Sequence, residues 1–373
     1  MNSARPPHIG FVLERNLGHA THADNLRSII SMDRSLRATW CPIPFEVDGL
    51  EARVPVYGSN WTVRAGIRAR RAVRRAHRDD PLDALFVHTQ VPAVLLGRWM
   101  RRIPTVVSLD ATPLQYDELG HFYSHGVGHP TVEQAQQALN LRCFRTARQL
   151  VTWSTWAKVG LVDGYGVDPE RVRVIPPGVW CDRWIRPPTG ATIRGADDVV
   201  RILFVGAELA RKGGDILLQA FHQLRAEHGH RVELHLVTKS NVPLAPGVWR
   251  YGDLTANSDE LKALYHRSDI FCLPTRADCL PMVLSEAGAT GLPLVSTAVA
   301  AIPEIVRDQR TGLVVPPGDV RALAGALSAL VIDPALRKCL GEAARALIVE
   351  EYDAAKNSSA IVDLMIDIAG SRS

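Results

Sequence analysis

What this 373-residue chain lacks narrows its chemistry first. Its six cysteines, Cys41, Cys143, Cys181, Cys272, Cys279 and Cys339, include no C-x-x-C pair and no cysteine–histidine cluster at zinc spacing. Neither a disulfide framework nor a structural zinc site is therefore expected, and the thiols read as reduced ones in a cytoplasmic protein. No apolar run approaches the length that crosses a bilayer. The first residues reach Glu14 after only the short run Ile9 to Leu13, so no secretory leader is expected. The formal net charge of +4 suits anionic ligands but is far from a nucleic-acid-binding composition. A Walker A sequence is also missing, which disfavours ATP hydrolysis.

What is present reads as two α/β domains. A chain of this length exceeds what one core usually fills, and 46% apolar residues support ample burial. Short apolar runs at His8 to Leu13, Ala84 to Val87, Pro104 to Leu109, Leu150 to Ser154 and Val172 to Ile175 alternate with helical patterns from Asp24, over Val91 to Arg102 and over Glu133 to Thr146. After a Pro- and Gly-bearing linker from Arg186 to Asp198 the alternation restarts, with strands at Val200 to Gly206, Val232 to Val237, Ile270 to Pro274 and Leu294 to Thr297. Residues 1–185 and 186–350 are the expected domains. The last helix, within 351–373, has no strand after it and is expected to cross back onto the first domain.

Several stretches carry candidate chemistry. Gly18 lies in a strand–loop–helix turn where backbone amides approach an anion, although tight turns need glycine without any ligand. His19 and His22 beside it read as ordinary loop histidines. Asp110, at the carboxyl end of the run Pro104 to Leu109, opens a polar loop leading to His121, His125 and His129. Those three are spaced by four, but Gly126, Gly128 and Pro130 break a helix there, so no metal site is assigned. Between Arg64 and Arg78 an arginine-dense helical pattern reads as a plain solvated face, or as a surface for an anionic membrane or an acidic partner.

In the second half, Gly206 ends a strand and is followed by Arg211-Lys212-Gly213-Gly214-Asp215. Two cations ahead of a helix N-terminus are locally unfavourable unless an anion sits between them, which points to a diphosphate. Asp215 is the expected helix cap. Farther on, Asp278 and Glu286 flank one strand-to-helix turn, with Pro281 suited to the first helical position. Such carboxylates either hold sugar or ribose hydroxyls, or serve as a cap and a solvated side chain.

Taken in series, these residues resemble the donor domain of retaining glycosyltransferases of family 4, with the GT-B fold. The resemblance rests on Ile175-Pro176-Pro177-Gly178-Val179, Phe204-Val205-Gly206 with Arg211-Lys212-Gly213-Gly214, the paired carboxylates, Pro303-Glu304-Ile305-Val306 and Thr311-Gly312-Leu313-Val314. It implies two Rossmann-like domains facing each other across a deep cleft, acceptor side first and donor side second. By resemblance, Arg211 and Lys212 bind the diphosphate of a nucleotide sugar and Glu286 the ribose hydroxyls. Gly18, Gly206, Leu280, Pro281, Met282 and Val283 complete the donor site. Asp278 stands where the family usually has glutamate and approaches the donor sugar, and Asp110 stands near the reacting centre in place of a frequent histidine. Ala300 and Ala301 replace two common glycines.

The implied reaction moves a hexose or N-acetylhexosamine to a glycan, lipid-linked or small-molecule acceptor without cofactor or nucleic acid. The absence of a D-x-D sequence implies that no metal is needed. A nucleotide-sugar epimerase, a glycan phosphorylase and a non-catalytic nucleotide-sugar sensor remain as alternatives. The expected location is the cytoplasm, including the inner face of its membrane.

Overall fold

The computed structural model describes residues 5–15, 18–47, 51, 53–120, 130–186, 198–243 and 245–371. Most of the expected linker, residues 187–197, and the three histidines His121, His125 and His129 lie outside the described residues. The chain forms two compact units. The first takes the described residues up to Gly120, then 130–178 and the chain from Ala354, and the second runs from Val179 to Asp353. The two crossings are adjacent, Val179 N–H donating to the Tyr352 carbonyl at 3.0 Å.

In the first unit, β1 (His8–Arg15), β2 (Arg37–Pro44), β3 (Ala84–His88), β4 (Thr105–Leu109), β5 (Gln149–Thr152) and β6 (Val172–Val174) form a parallel sheet. Its order is β2-β1-β3-β4-β5-β6. Alternation along β1 feeds two cores. Ile9, Phe11 and Leu13 pack with Leu26 and Ile30 of the helix Gly18–Ile30 and with Ile361, Met365 and Ile368 of the helix Ala354–Gly370. Val12 faces the other side, toward Ala69 and Val73 of the helix Trp61–Asp79. The terminal helix therefore belongs to the first unit's core, although the whole second unit precedes it in sequence. Strand order reverses between β1 and β3, so Glu14, His88 and Asp110 gather at the carboxyl ends where open α/β sheets hold ligands.

The second unit repeats the plan. β7 (Val200–Val205), β8 (Val232–Val237), β9 (Val248–Tyr251), β10 (Ile270–Leu273), β11 (Leu294–Thr297) and β12 (Gly312–Val315) are parallel in the order β12-β11-β10-β7-β8-β9. The reversal here falls between β7 and β10. The loops leaving those two strands carry Arg211, Lys212 and Asp278.

Two readings from sequence need correction. The expected helix Val91 to Arg102 is two short turns, Gln90–Ala93 and Gly97–Met100, as Pro92 and Gly97 make a continuous helix costly. The arginines of Trp61–Asp79 do not all reach outward. Arg64 is buried and donates to the carbonyls of Phe45, Tyr57 and Gly58, while Arg68 donates to those of Pro44 and Glu46. Arg70, Arg71, Arg74, Arg75 and Arg78 remain exposed.

Candidate functional site

The second unit's site begins at the end of β7. Gly206 leaves room for the Lys212 stem, because a Cβ there would approach Lys212 Cβ and Cγ at 3.0 Å. Gly213 adopts φ +74° as the N-cap of the helix Gly214–His228, and a side chain on it would run into the Pro274 carbonyl. Only glycine fits both demands. Asp215 is not the cap expected from sequence. It lies inside the first turn and forms a two-pronged ion pair with Arg276, at 2.6 and 2.7 Å. Because Gly213 occupies the cap, no cap side chain covers the helix's first amides, and the Asp215 carboxylate reaches only those of Asp215 and Ile216.

Across the same crevice the helix Met282–Ala289 follows β10. Pro281 sits at its N-cap position, one residue earlier than the first-helical-position expectation, and again no side chain caps the amides. The two loops are tied together by Arg276 N–H to the Arg211 carbonyl at 2.9 Å and by Arg211 Nη1 to the Ala277 carbonyl at 3.0 Å. Arg211 also pairs with Glu208 at 3.0 Å, and this hydrogen bond holds the Glu208 carboxyl below its usual range. Lys212 pairs with Asp278. Leu280, Pro281 and Met282 are buried, and Val283 is half-buried.

Glu286 is 4% exposed and accepts a hydrogen bond from Tyr265 Oη at 2.8 Å. Burial raises its carboxyl to about 7 against the opposing effect of that hydrogen bond. The structure thus brings Arg211, Lys212, Gly206 and Asp278 to one switch point, with Glu286 buried on the helix Met282–Ala289 that follows β10. Chemically, two cations beside two helix N-termini whose cap residues carry no capping side chain suit a diphosphate, and a desolvated carboxylate suits paired hydroxyls.

Gly18 and Asp110 lie in the first unit. Gly18 opens the helix Gly18–Ile30, with nothing within 4 Å of where a Cβ would be. His19 and His22 are one turn apart in that helix rather than in a loop. His19 Nε2 lies 3.2 Å from Asp110 Oδ2, and its Nδ1 lies 3.9 Å from Glu14 Oε1. Tyr116 Oη donates to Asp110 at 2.7 Å, while Trp61 Nε1 and Thr89 Oγ1 donate to Glu14 at 3.2 and 2.8 Å. His88 stacks on Trp153, ring centres 5.0 Å apart, with His19 and His22 against both.

Burial alone would neutralise His19, but Asp110 and Glu14 outweigh it and raise the imidazole to about 8. Burial likewise opposes ionisation of Asp110, and His19 with Tyr116 reverses that, leaving its carboxyl below the usual range. Burial, then the His19 charge, depresses His22 to about 3 and His88 well below its usual value. Glu14 and His88 were not singled out as site residues from sequence, and His19 and His22 were read there only as loop histidines. The one available signal was position, since Glu14 and His88 end strands and His19 and His22 start the first helix. Among the described residues, no three histidine, cysteine, aspartate or glutamate side chains converge closely enough to hold a metal ion.

Two family profiles match the chain, "Glycosyl transferase 4-like domain" over residues 22–178 and "Glycosyl transferases group 1" over 199–333. The MMP alpha-(1->4)-mannosyltransferase of Mycolicibacterium hassiacum is 32% identical over 57% of this chain and 52% of its own length. This chain thus spans about half the length of that curated relative. Among solved structures, the sucrose-phosphate synthase of Thermosynechococcus elongatus superposes with a TM-score of 0.77 at 16% identity, covering 98% of this chain and 100% of the other. Anabaena HepE in complex with UDP-glucose superposes with a TM-score of 0.67 at 16% identity, covering 96% and 99%. At such identity these two superpositions establish the fold, GT-B.

Proposed function

This chain belongs to the glycosyl transferases of group 1, and on that premise we propose that it moves a hexosyl or N-acetylhexosaminyl group from a nucleoside-diphosphate sugar to an acceptor hydroxyl, with retention. One observation carries the reading: Arg211 and Lys212 stand at the glycine-capped start of Gly214–His228, with the proline-capped start of Met282–Ala289 across the crevice. Cleavage of the anomeric C–O bond leaves negative charge on the diphosphate. The two cations and the helix-end amides stabilise that charge more in the transition state than in the bound donor. Glu286 receives the ribose hydroxyls, with Leu280, Pro281, Met282 and Val283 beside the donor. Asp278, shorter than the family's glutamate, serves the donor sugar, and Asp110 serves the acceptor. The cations make a divalent metal unnecessary.

Thermal-shift titration with UDP, GDP and ADP sugars tests this directly, because a ligand bound only by the folded state raises Tm by mass action. One donor series is expected to shift Tm and to release its nucleoside diphosphate in the presence or absence of chelator. An α-linked product from an α-donor is expected by NMR. No shift and no release with any nucleotide would refute the reading, a β-linked product would refute retention, and loss of turnover in chelator would refute metal independence.

We also assign the exposed arginines of Trp61–Asp79 to an anionic membrane surface, which places the protein at the cytoplasmic face. Arg70, Arg71, Arg74 and Arg75 lie on one exposed side of this helix. Ile67 and the half-buried Trp99 line the same groove as Arg70, Arg71 and Arg74. Each arginine near such a surface contributes about 1 kcal/mol. No helix among the described residues is long and apolar enough to cross the membrane. Sedimentation with vesicles containing phosphatidylglycerol, absent with pure phosphatidylcholine and lost when those four arginines are changed to glutamine, is the expected result. Equal recovery with both vesicle types would contradict it.

A further inference from the structure

The polar cluster at the carboxyl ends of the first unit's strands holds more hydrogen-bonding capacity than the protein itself uses. Asp110 is 6% exposed, yet its Oδ1 has no hydrogen-bond partner, and neither have His19 Nδ1 and Trp153 Nε1, the latter on a residue 3% exposed. Buried polar atoms are normally satisfied, and His22 Nε2 and His88 Nε2 on the same ring cluster are unpartnered as well, so a ligand there meets one carboxylate acceptor, two donors and two imidazole nitrogens that take either role. His19 joins them physically, its ring 5.5 Å from Trp153 and its Nε2 3.2 Å from Asp110.

We propose that this cluster is the acceptor subsite and that it takes an uncharged polyhydroxylated ring, a sugar or cyclitol, in preference to a phosphorylated one. The inference rests on the glycosyl-transfer reading and names the acceptor class for it. Hydroxyls both donate and accept, so adjacent ones on a ring satisfy Asp110 Oδ1 and the two donors together. Phosphate only accepts at neutral pH, and it would leave the Asp110 oxygen unsatisfied.

Charge points the same way. The charged groups acting on Glu14, His19 and Asp110 are one another, two carboxylates around one imidazolium, while His22 and His88 are held neutral by burial. Nearby arginines are committed, Arg64 to the carbonyls of Phe45, Tyr57 and Gly58 and Arg15 to Asp24. Among the described residues of the first unit, a phosphate dianion would therefore meet Asp110 with one cation beside it, His19, already shared between two carboxylates.

The test uses the full chain and the nucleotide sugar that gives the largest thermal shift. Transfer is measured by mass spectrometry to glucose and glucose 6-phosphate, mannose and mannose 6-phosphate, and myo-inositol and D-myo-inositol 3-phosphate. The neutral member of at least one pair is expected to be glycosylated with kcat/KM at least tenfold above its phosphorylated partner. Asp110→Asn is expected to raise KM for the neutral acceptor and to narrow that gap, a change that a purely structural aspartate would not produce. Preference for the phosphorylated member overturns the proposal. So does the absence of transfer to every neutral ring while the donor is still hydrolysed to nucleoside diphosphate. Absence of any donor binding or hydrolysis overturns the glycosyl-transfer reading as well, which separates the two failures.

Discussion

Lys212→Ala is expected to lower kcat by about 10²- to 10³-fold, the usual effect of removing one preorganised charge from the site where a transition state develops its own. The same variant should also lower Tm. Lys212 and Asp278 are an ion pair with side chains only 15% and 12% exposed, so deleting the lysine leaves a desolvated carboxylate unpaired. These two effects are separable. In Lys212→Ala/Asp278→Asn the stranded charge is gone, so Tm should return toward the wild type while kcat stays low. If kcat returned with Tm, Lys212 would serve only to neutralise Asp278, and the leaving-group assignment would fail. Asp278→Asn alone makes the converse point. It frees the ammonium that an incoming diphosphate must otherwise share, so nucleoside-diphosphate affinity should hold or rise while transfer declines.

The legibility of the fold followed burial. Strands with a neighbour on each side, such as β1, β3, β7 and β10, are continuous apolar runs and can be read directly from sequence. The three that escaped, β2, β9 and β12, are outer strands with one neighbour each. In β2, Arg37-Ala-Thr-Trp-Cys-Pro-Ile-Pro carries two prolines, which an edge tolerates and a central strand does not. In β9, Val248-Trp-Arg-Tyr is too short and too polar to stand out. The site divided in a similar way. Arg211, Lys212, Asp278 and Glu286 lie within short motifs whose spacing carries the chemistry. Glu14, His19, His88 and Asp110 come from three strand ends and a helix start, and only the strand order β2-β1-β3-β4 brings them together. Asp215 was misplaced because a capping preference cannot reveal that Arg276, on a loop 61 residues away, claims the carboxylate.

Glu286 gives the clearest dependence on pH. Its carboxyl is raised by burial from 4.5 to about 7, so the folded state holds a proton that the unfolded chain releases. The stabilising contribution of the protonated group is fully present below about pH 4.5 and is lost as pH rises through about 7. The shift corresponds to about 3 kcal/mol at about 1.4 kcal/mol per pH unit. Glu286→Gln should remove this decline, leaving the variant at least as stable as the wild type at pH 8. Donor binding should show the opposite slope. Ribose hydroxyls donate to an ionised carboxylate, so the affinity for the nucleoside diphosphate should rise between pH 5.5 and 7 and level off above. Hydrogen bonds to a charged group contribute about 1.5–3 kcal/mol, so the glutamine variant should bind about tenfold to a hundredfold more weakly at pH 8. Its affinity should lack the slope. Melting curves and nucleotide titrations of both proteins over this range are the measurement. Wild-type affinity that stays flat from pH 5.5 to 7.5, or a glutamine variant that binds undiminished at pH 8, would remove Glu286 from the donor site and leave it a buried carboxyl held only by Tyr265.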